Sequence, residues 1–159
     1  MTHVVVLLLA LLIGVVAGLR SLLAPAVLSW AAALGWIVLD GTWVRWLAHP
    51  AAVAVLTVLA VVELVFDQLP GTPDRTTPVP FLGRLVCGGF AGAVVGTAWG
   101  YPFGGLGTGL IGAVLGTLGG AAFRAGLTAR AGRPALVALA EDLLAVAGGV
   151  VVAALVSAV

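Results

Sequence analysis

The sequence predicts an all-α fold, a polytopic transmembrane helix bundle of about six spans forming a single integral membrane domain over residues 1–159. Three observations predict it. The chain is 62% hydrophobic and 8% charged, against about 25% charged residues in an average soluble domain, so a water-soluble fold could not cover its surface. Its charge-free runs are long: Met1 to Leu19, Ser21 to Leu39, Trp46 to Val62, Leu85 to Phe123 and Leu143 to Val159. A spanning helix needs about 20 mostly apolar residues. Finally, the basic residues fall unevenly between alternate connections, as they do in multi-pass proteins.

The spans follow in order. The first is Val4 to Leu19. It resembles a secretory signal, but no basic residue precedes it and Arg20 follows it, so a retained span is expected. The second, Leu22 to Leu39, follows the very short turn Leu19-Arg20-Ser21-Leu22, which leaves spanning and re-entrant readings open. The third is Ala51 to Phe66. The run Leu85 to Phe123 is long enough for two spans, Leu85 to Ala98 and Gly105 to Phe123, with Trp99-Gly100-Tyr101-Pro102-Phe103-Gly104 as an interfacial turn between them. The sixth is Ala135 to Ser157. The longest loop, Asp67 to Pro80, holds four prolines and is expected to be stiff and extended.

Six spans put Arg20, Arg75, Arg84, Arg124, Arg130 and Arg133 on one face and Arg45 alone on the other. The Arg-rich face is expected to be cytoplasmic, with both termini outside. Trp30, Trp36, Trp43 and Trp46, together with Trp99, Tyr101 and Phe103, then form an interfacial belt on the outer face.

The fourth span carries Gly88, Gly92, Gly96 and Gly100 at four-residue spacing, and the fifth carries Gly104, Thr108, Gly112, Gly116 and Gly120. Small residues four apart line one helix face and let another helix approach closely. Helix packing is therefore expected at Gly88, Gly92, Gly96, Gly112, Gly116 and Gly120, between these two spans or across a homo-oligomer.

Charges within spans are costly and are functional candidates by default. Glu63 and Asp67, four apart, share a helix face near the end of the third span. Glu141 and Asp142 lie about two turns into the sixth. Arg20, Arg84 and Arg124 begin or end their spans at the same level. The topology thus gathers four carboxylates and three guanidiniums into one layer near the cytoplasmic interface. Carboxylates there can bind a cation or carry protons, and guanidiniums can clamp an anion. Mutual pairing is the competing structural role.

Enzymatic chemistry is not expected. His3 and His49 lie near the outer face, away from the acidic residues, and Ser21 has no histidine to serve as its base. No Cys or His cluster has zinc spacing, no lysine exists, and Cys87 has no internal disulfide partner and reads as a small hydrophobe. No metal or other cofactor is expected. With a net charge of +1 there is no electrostatic case for nucleic acid. The expected partners are the lipid bilayer and either a second copy or another membrane protein.

Several segments together resemble a known family. They are Ala17-Gly18-Leu19-Arg20-Ser21, Ser29-Trp30-Ala31-Ala32, Glu63-Leu64, Asp67-Gln68-Leu69-Pro70, Thr72-Pro73-Asp74-Arg75-Thr76-Thr77-Pro78, Gly83-Arg84 and Glu141-Asp142. They are similar to an uncharacterised bacterial membrane family, domain of unknown function 4126. The resemblance covers nearly the whole chain and is most specific from Glu63 to Arg84. The family carries a basic residue where this chain has Gln68, a departure that removes one charge from the layer. The resemblance implies a bacterial inner-membrane protein and brings no activity, substrate or cofactor with it.

Two functions fit these residues. The favoured one is a small transporter or channel for an ion or small solute, using the charged layer. The other is a non-transporting membrane scaffold or assembly factor that packs through the glycine-rich faces.

Overall fold

The structure is a computed structural model that describes residues 3–67, 76–131 and 134–158. Among the described residues six α-helices follow one another: α1 (His3–Leu19), α2 (Leu23–Ala33), α3 (Pro50–Phe66), α4 (Pro78–Ala98), α5 (Pro102–Ala131) and α6 (Pro134–Ser157). A short 3-10 turn, Arg45–Ala48, precedes α3, and no strand occurs among the described residues. Three helical stretches, Pro78–Ala98, Pro102–Ala129 and Leu136–Ser157, are long and apolar enough to cross a membrane. The helices α1, α2 and α3 are apolar but shorter.

Local chemistry sets most of these boundaries. The last four helices all open on proline, whose missing N–H costs nothing at the first helical position. This corrects the expectation of an extended loop as far as Pro80. Thr77 is the extended residue before α4, Pro78 and Pro80 fall in its first turn, and the helix begins seven residues before the predicted Leu85. Residues 68–75 of that loop, which include Asp74 and Arg75, lie outside the described residues, as does Arg133.

The second expected span is also corrected. Its helix is 11 residues long, about 16 Å at 1.5 Å per residue, and stops at Ala33. Gly35, with φ +73°, is the cause. The Trp36 N–H reaches the Ala31 carbonyl at 2.8 Å and the Gly35 N–H reaches Ala32 at 3.2 Å. This is the paired Schellman closure that a left-handed glycine permits. The same closure ends α4, where Gly100 has φ +80°, Tyr101 bonds back to Gly96 and Gly100 to Thr97. The turn between α4 and α5 is therefore shorter than Trp99 to Gly104, because Pro102 already starts α5.

The packing centre is α1, α4 and α5. A Cβ placed on Gly92 would meet the Gly109 Cα at 2.7 Å, and one on Gly105 would meet the Gly96 Cα at 2.9 Å. A Cβ on Gly112 would meet the Val15 N at 2.9 Å, and one on Gly116 the Gly18 Cα at 3.0 Å. Backbone therefore lies against backbone along two faces of α5. Residues of α4 and α5 pair in opposite order and those of α1 and α5 in the same order, so α5 runs antiparallel to α4 and parallel to α1.

The glycine set predicted on α5 divides accordingly. Gly112 and Gly116 face α1, a partner the sequence pattern did not indicate, while α4 is met by Gly105 and Gly109. Gly120 is buried and Gly104 is exposed. On α4, Gly88, Gly92 and Gly96 all face α5, whereas Gly100 has open space around it and serves the turn.

Candidate functional site

The chain breaks between α1 and α2 at Arg20-Ser21-Leu22, and this break exposes two helix ends to be satisfied. The last carbonyls of a helix and the first N–H groups of the next have no intrahelical partners. In an apolar bundle they need partners from elsewhere, since an unmade hydrogen bond there costs on the order of several kcal/mol.

Two charged side chains from other helices meet them. Arg84, on the second turn of α4, donates Nη1 to the Gly18 carbonyl at 2.9 Å and to the Leu19 carbonyl at 2.6 Å. Thr117 of α5 donates to the same Gly18 oxygen at 3.2 Å and to its own-helix Ala113 oxygen at 2.8 Å. At the other end of the break, the Glu63 carboxylate of α3 accepts from the Ser21 N–H at 2.7 Å, the Leu22 N–H at 2.8 Å and the Ser21 hydroxyl. A cation thus sits at a helix C-terminus and an anion at a helix N-terminus, each the sign the helix dipole favours.

Arg20 lies in the break itself. Its side chain is 0% exposed, and it ion-pairs with Asp67 at the end of α3 and with Asp142 on α6. Arg84 approaches the same Asp67 oxygen at 3.7 Å. Beside Asp142 on α6, Glu141 is 2% exposed and lies 3.8 Å from the partly exposed Arg124 of α5, too long for a direct hydrogen bond. Five helices and the break therefore contribute to one polar layer.

All seven charged residues singled out in the sequence lie in this layer. Arg20, Asp67, Asp142 and Arg84 form one connected ion-pair network, Glu63 closes α2, and Arg124 pairs with Glu141. Pattern reading missed the backbone of Gly18, Leu19, Ser21 and Leu22, which bonds Arg84 and Glu63, and it missed Thr117. The only available signal was the polar dipeptide Arg20-Ser21 wedged between two apolar runs, which marks a break but not its partners.

The opposite end of the bundle is aromatic. The Trp43 indole N–H donates to Thr97 at 3.1 Å, and both Trp43 and Trp46 lie 6.1 Å from the Phe90 ring. His3 is bonded to the Tyr101 hydroxyl at 2.6 Å beside a shallow cavity of about 290 Å³. His49 accepts from the Ala51 N–H at the start of α3. The two histidines thus have separate local roles, and no group of three metal-ligating side chains occurs among the described residues. No protein-family model, curated protein or solved structure matches the chain.

Proposed function

We propose that this protein is a small multi-pass transporter or channel for an ion or small solute, with the charged layer as its site. The observation that carries the reading is Arg20. It is wholly enclosed, it sits where the chain breaks, and it joins carboxylates from two different helices. Taking each ion out of water costs several kcal/mol, and a bundle that only had to hold together could fill the same space with apolar side chains at no such cost. Broken helices with charged groups at their ends are a recurring way to build a solute site within a bundle.

In this reading Asp67 and Asp142 hold Arg20 between them, Arg84 keeps the end of α1 in place, and Glu63 and Glu141 are the carboxylates that engage the ion or solute. The protein works in the bacterial cytoplasmic membrane, with the Arg-rich layer towards the cytoplasm and both termini outside. The arginine asymmetry supports that orientation.

The scaffold reading has less to stand on. Its motives are the glycine-rich faces and the stiff loop: Gly88, Gly92, Gly96, Gly112 and Gly116 are already met by atoms of the same chain, and residues 68–75 of the loop lie outside the described residues.

The test is flux of protons and a panel of small ions and solutes in liposomes, with Glu63→Gln and Glu141→Gln as controls. Flux that both substitutions abolish while the protein stays folded supports transport and assigns the two carboxylates. Flux insensitive to both removes the charged layer from the mechanism.

A further inference from the structure

The six helices are not held in the same way. Backbone-to-backbone glycine contacts fix α1, α4 and α5 to one another. Eight of the 11 residues of α2 are buried. Only Val53 and Ala60 are buried among the 17 residues of α3, so little apolar contact attaches that helix to its neighbours.

What does attach α3 is concentrated at its ends. At its start, Leu47 is fully buried, and its carbonyl accepts from the buried Ser29 hydroxyl of α2 at 2.6 Å. This anchors the 3-10 turn, and the extended residue His49 (ψ 134°) joins that turn to α3. Midway there is one exposed bond, from the Trp30 indole N–H to Thr57 at 2.9 Å. At the far end the ties are polar: Glu63 to the start of α2, and Asp67 to Arg20 and Arg84.

We infer that α3 is a gating helix, hinged at His49-Pro50 and latched at its other end by Glu63 and Asp67. A latch of this kind suits the role. Charge-assisted bonds are strong while dry and well aligned, and they are lost in few steps once one partner changes. A broad apolar interface would release only gradually. Opening would uncover Ser21, Leu22 and Arg20 together, because the two latch residues cover them.

The inference goes beyond the transport reading and is tested by distance, so either can fail alone. In the full-length protein with Cys87→Ala, in nanodiscs, spin labels are placed on exposed positions. One pair spans the latch end, Val65→Cys on α3 with Leu118→Cys on α5. The other spans the hinge end, Val55→Cys with Leu106→Cys. Each pair is measured with and without Glu63→Gln and Asp67→Asn. The expected result is a second, longer distance at the latch end in the variants, with the hinge-end distance single and unchanged. Unchanged distances at both ends overturn the inference. Scattered distances at both ends also overturn it, because the latch would then be holding the fold together. Flux is read in the wild-type protein: movement of α3 in the variants with no wild-type flux leaves the hinged helix standing and counts against transport, and wild-type flux with α3 fixed in the variants does the reverse.

Discussion

Arg84 donates to the carbonyl of Leu19 at 2.6 Å, so a guanidinium from α4 completes the last turn of α1. The same side chain bonds Gly18 and lies near Asp67. It therefore performs two tasks that usually fall to different residues: it satisfies a helix end inside an apolar bundle, and it offsets a carboxylate that has been taken from water.

The first prediction concerns that double role. Arg84→Gln leaves Asp67 with one cation fewer and leaves the Gly18 and Leu19 carbonyls with a weaker donor. Removing one partner from a buried charged network costs about 3–5 kcal/mol. Equilibrium unfolding in detergent should show a loss of at least the lower figure. Arg84→Lys should recover only part of it, because a single ammonium cannot reproduce the planar fork. Stability of Arg84→Gln within experimental error of wild type would show that the contact is incidental.

Glycines in this chain should divide sharply by position. At Gly92 a methyl group would meet the Gly109 Cα at 2.7 Å, and neither backbone can yield without moving a helix. Overpacking of this kind costs about 1–3 kcal/mol. At Gly119 nothing lies within 4 Å, and an alanine in a helix interior is favoured over glycine by up to about 1 kcal/mol. Gly92→Ala should therefore lower the unfolding midpoint, while Gly119→Ala should leave it unchanged or raise it. Equal effects would mean that α4 and α5 are not in backbone contact.

The contrast between these glycines also shows how far the sequence can be read. Four-residue spacing identified small faces on α4 and α5, because that spacing is a property of one helix. It could not say which faces meet: it left Gly112 and Gly116 between packing on α4 and packing across a homo-oligomer, whereas α1 lies across from them and Gly105 and Gly109 meet α4. The charged residues were legible as a layer because burial makes isolated charges costly, so they converge. Their partners were not all legible, because those of Arg84 and Glu63 include backbone groups exposed only by the break at Arg20. The extent of α2 was misjudged for a related reason. An apolar run does not reveal that Gly35 turns left-handed and stops the helix.

That glycine and its counterpart at Gly100 give a third prediction. Neither has an atom within 4 Å of where a Cβ would sit, so any cost of substitution is conformational. Holding an L-residue at the observed φ of +73° or +80° costs about 1–2 kcal/mol. Gly35→Ala and Gly100→Ala should each lose about that much in the same unfolding measurement. Asparagine tolerates this conformation better, so Gly100→Asn should lose less. An alanine substitution without cost at Gly100 would mean that the α4–α5 turn does not use a left-handed residue.

The last prediction is a coupling. The Gly18 carbonyl accepts from both Arg84 and Thr117, and Thr117 is completely buried. Thr117→Val keeps the shape and removes the hydroxyl. On its own it should cost about 1 kcal/mol, the net worth of a typical buried hydrogen bond, because Arg84 still satisfies the carbonyl. Arg84→Gln on its own leaves Thr117 in place. Only the double variant leaves Gly18 without a strong donor, so its loss should exceed the sum of the two single losses by 0.5 kcal/mol or more, roughly the range seen for groups sharing one network. Strict additivity would mean that the two donors act on α1 independently and that the shared Gly18 carbonyl does not couple them. The cycle thus isolates the part of the Arg84 contribution that acts through the Gly18 carbonyl.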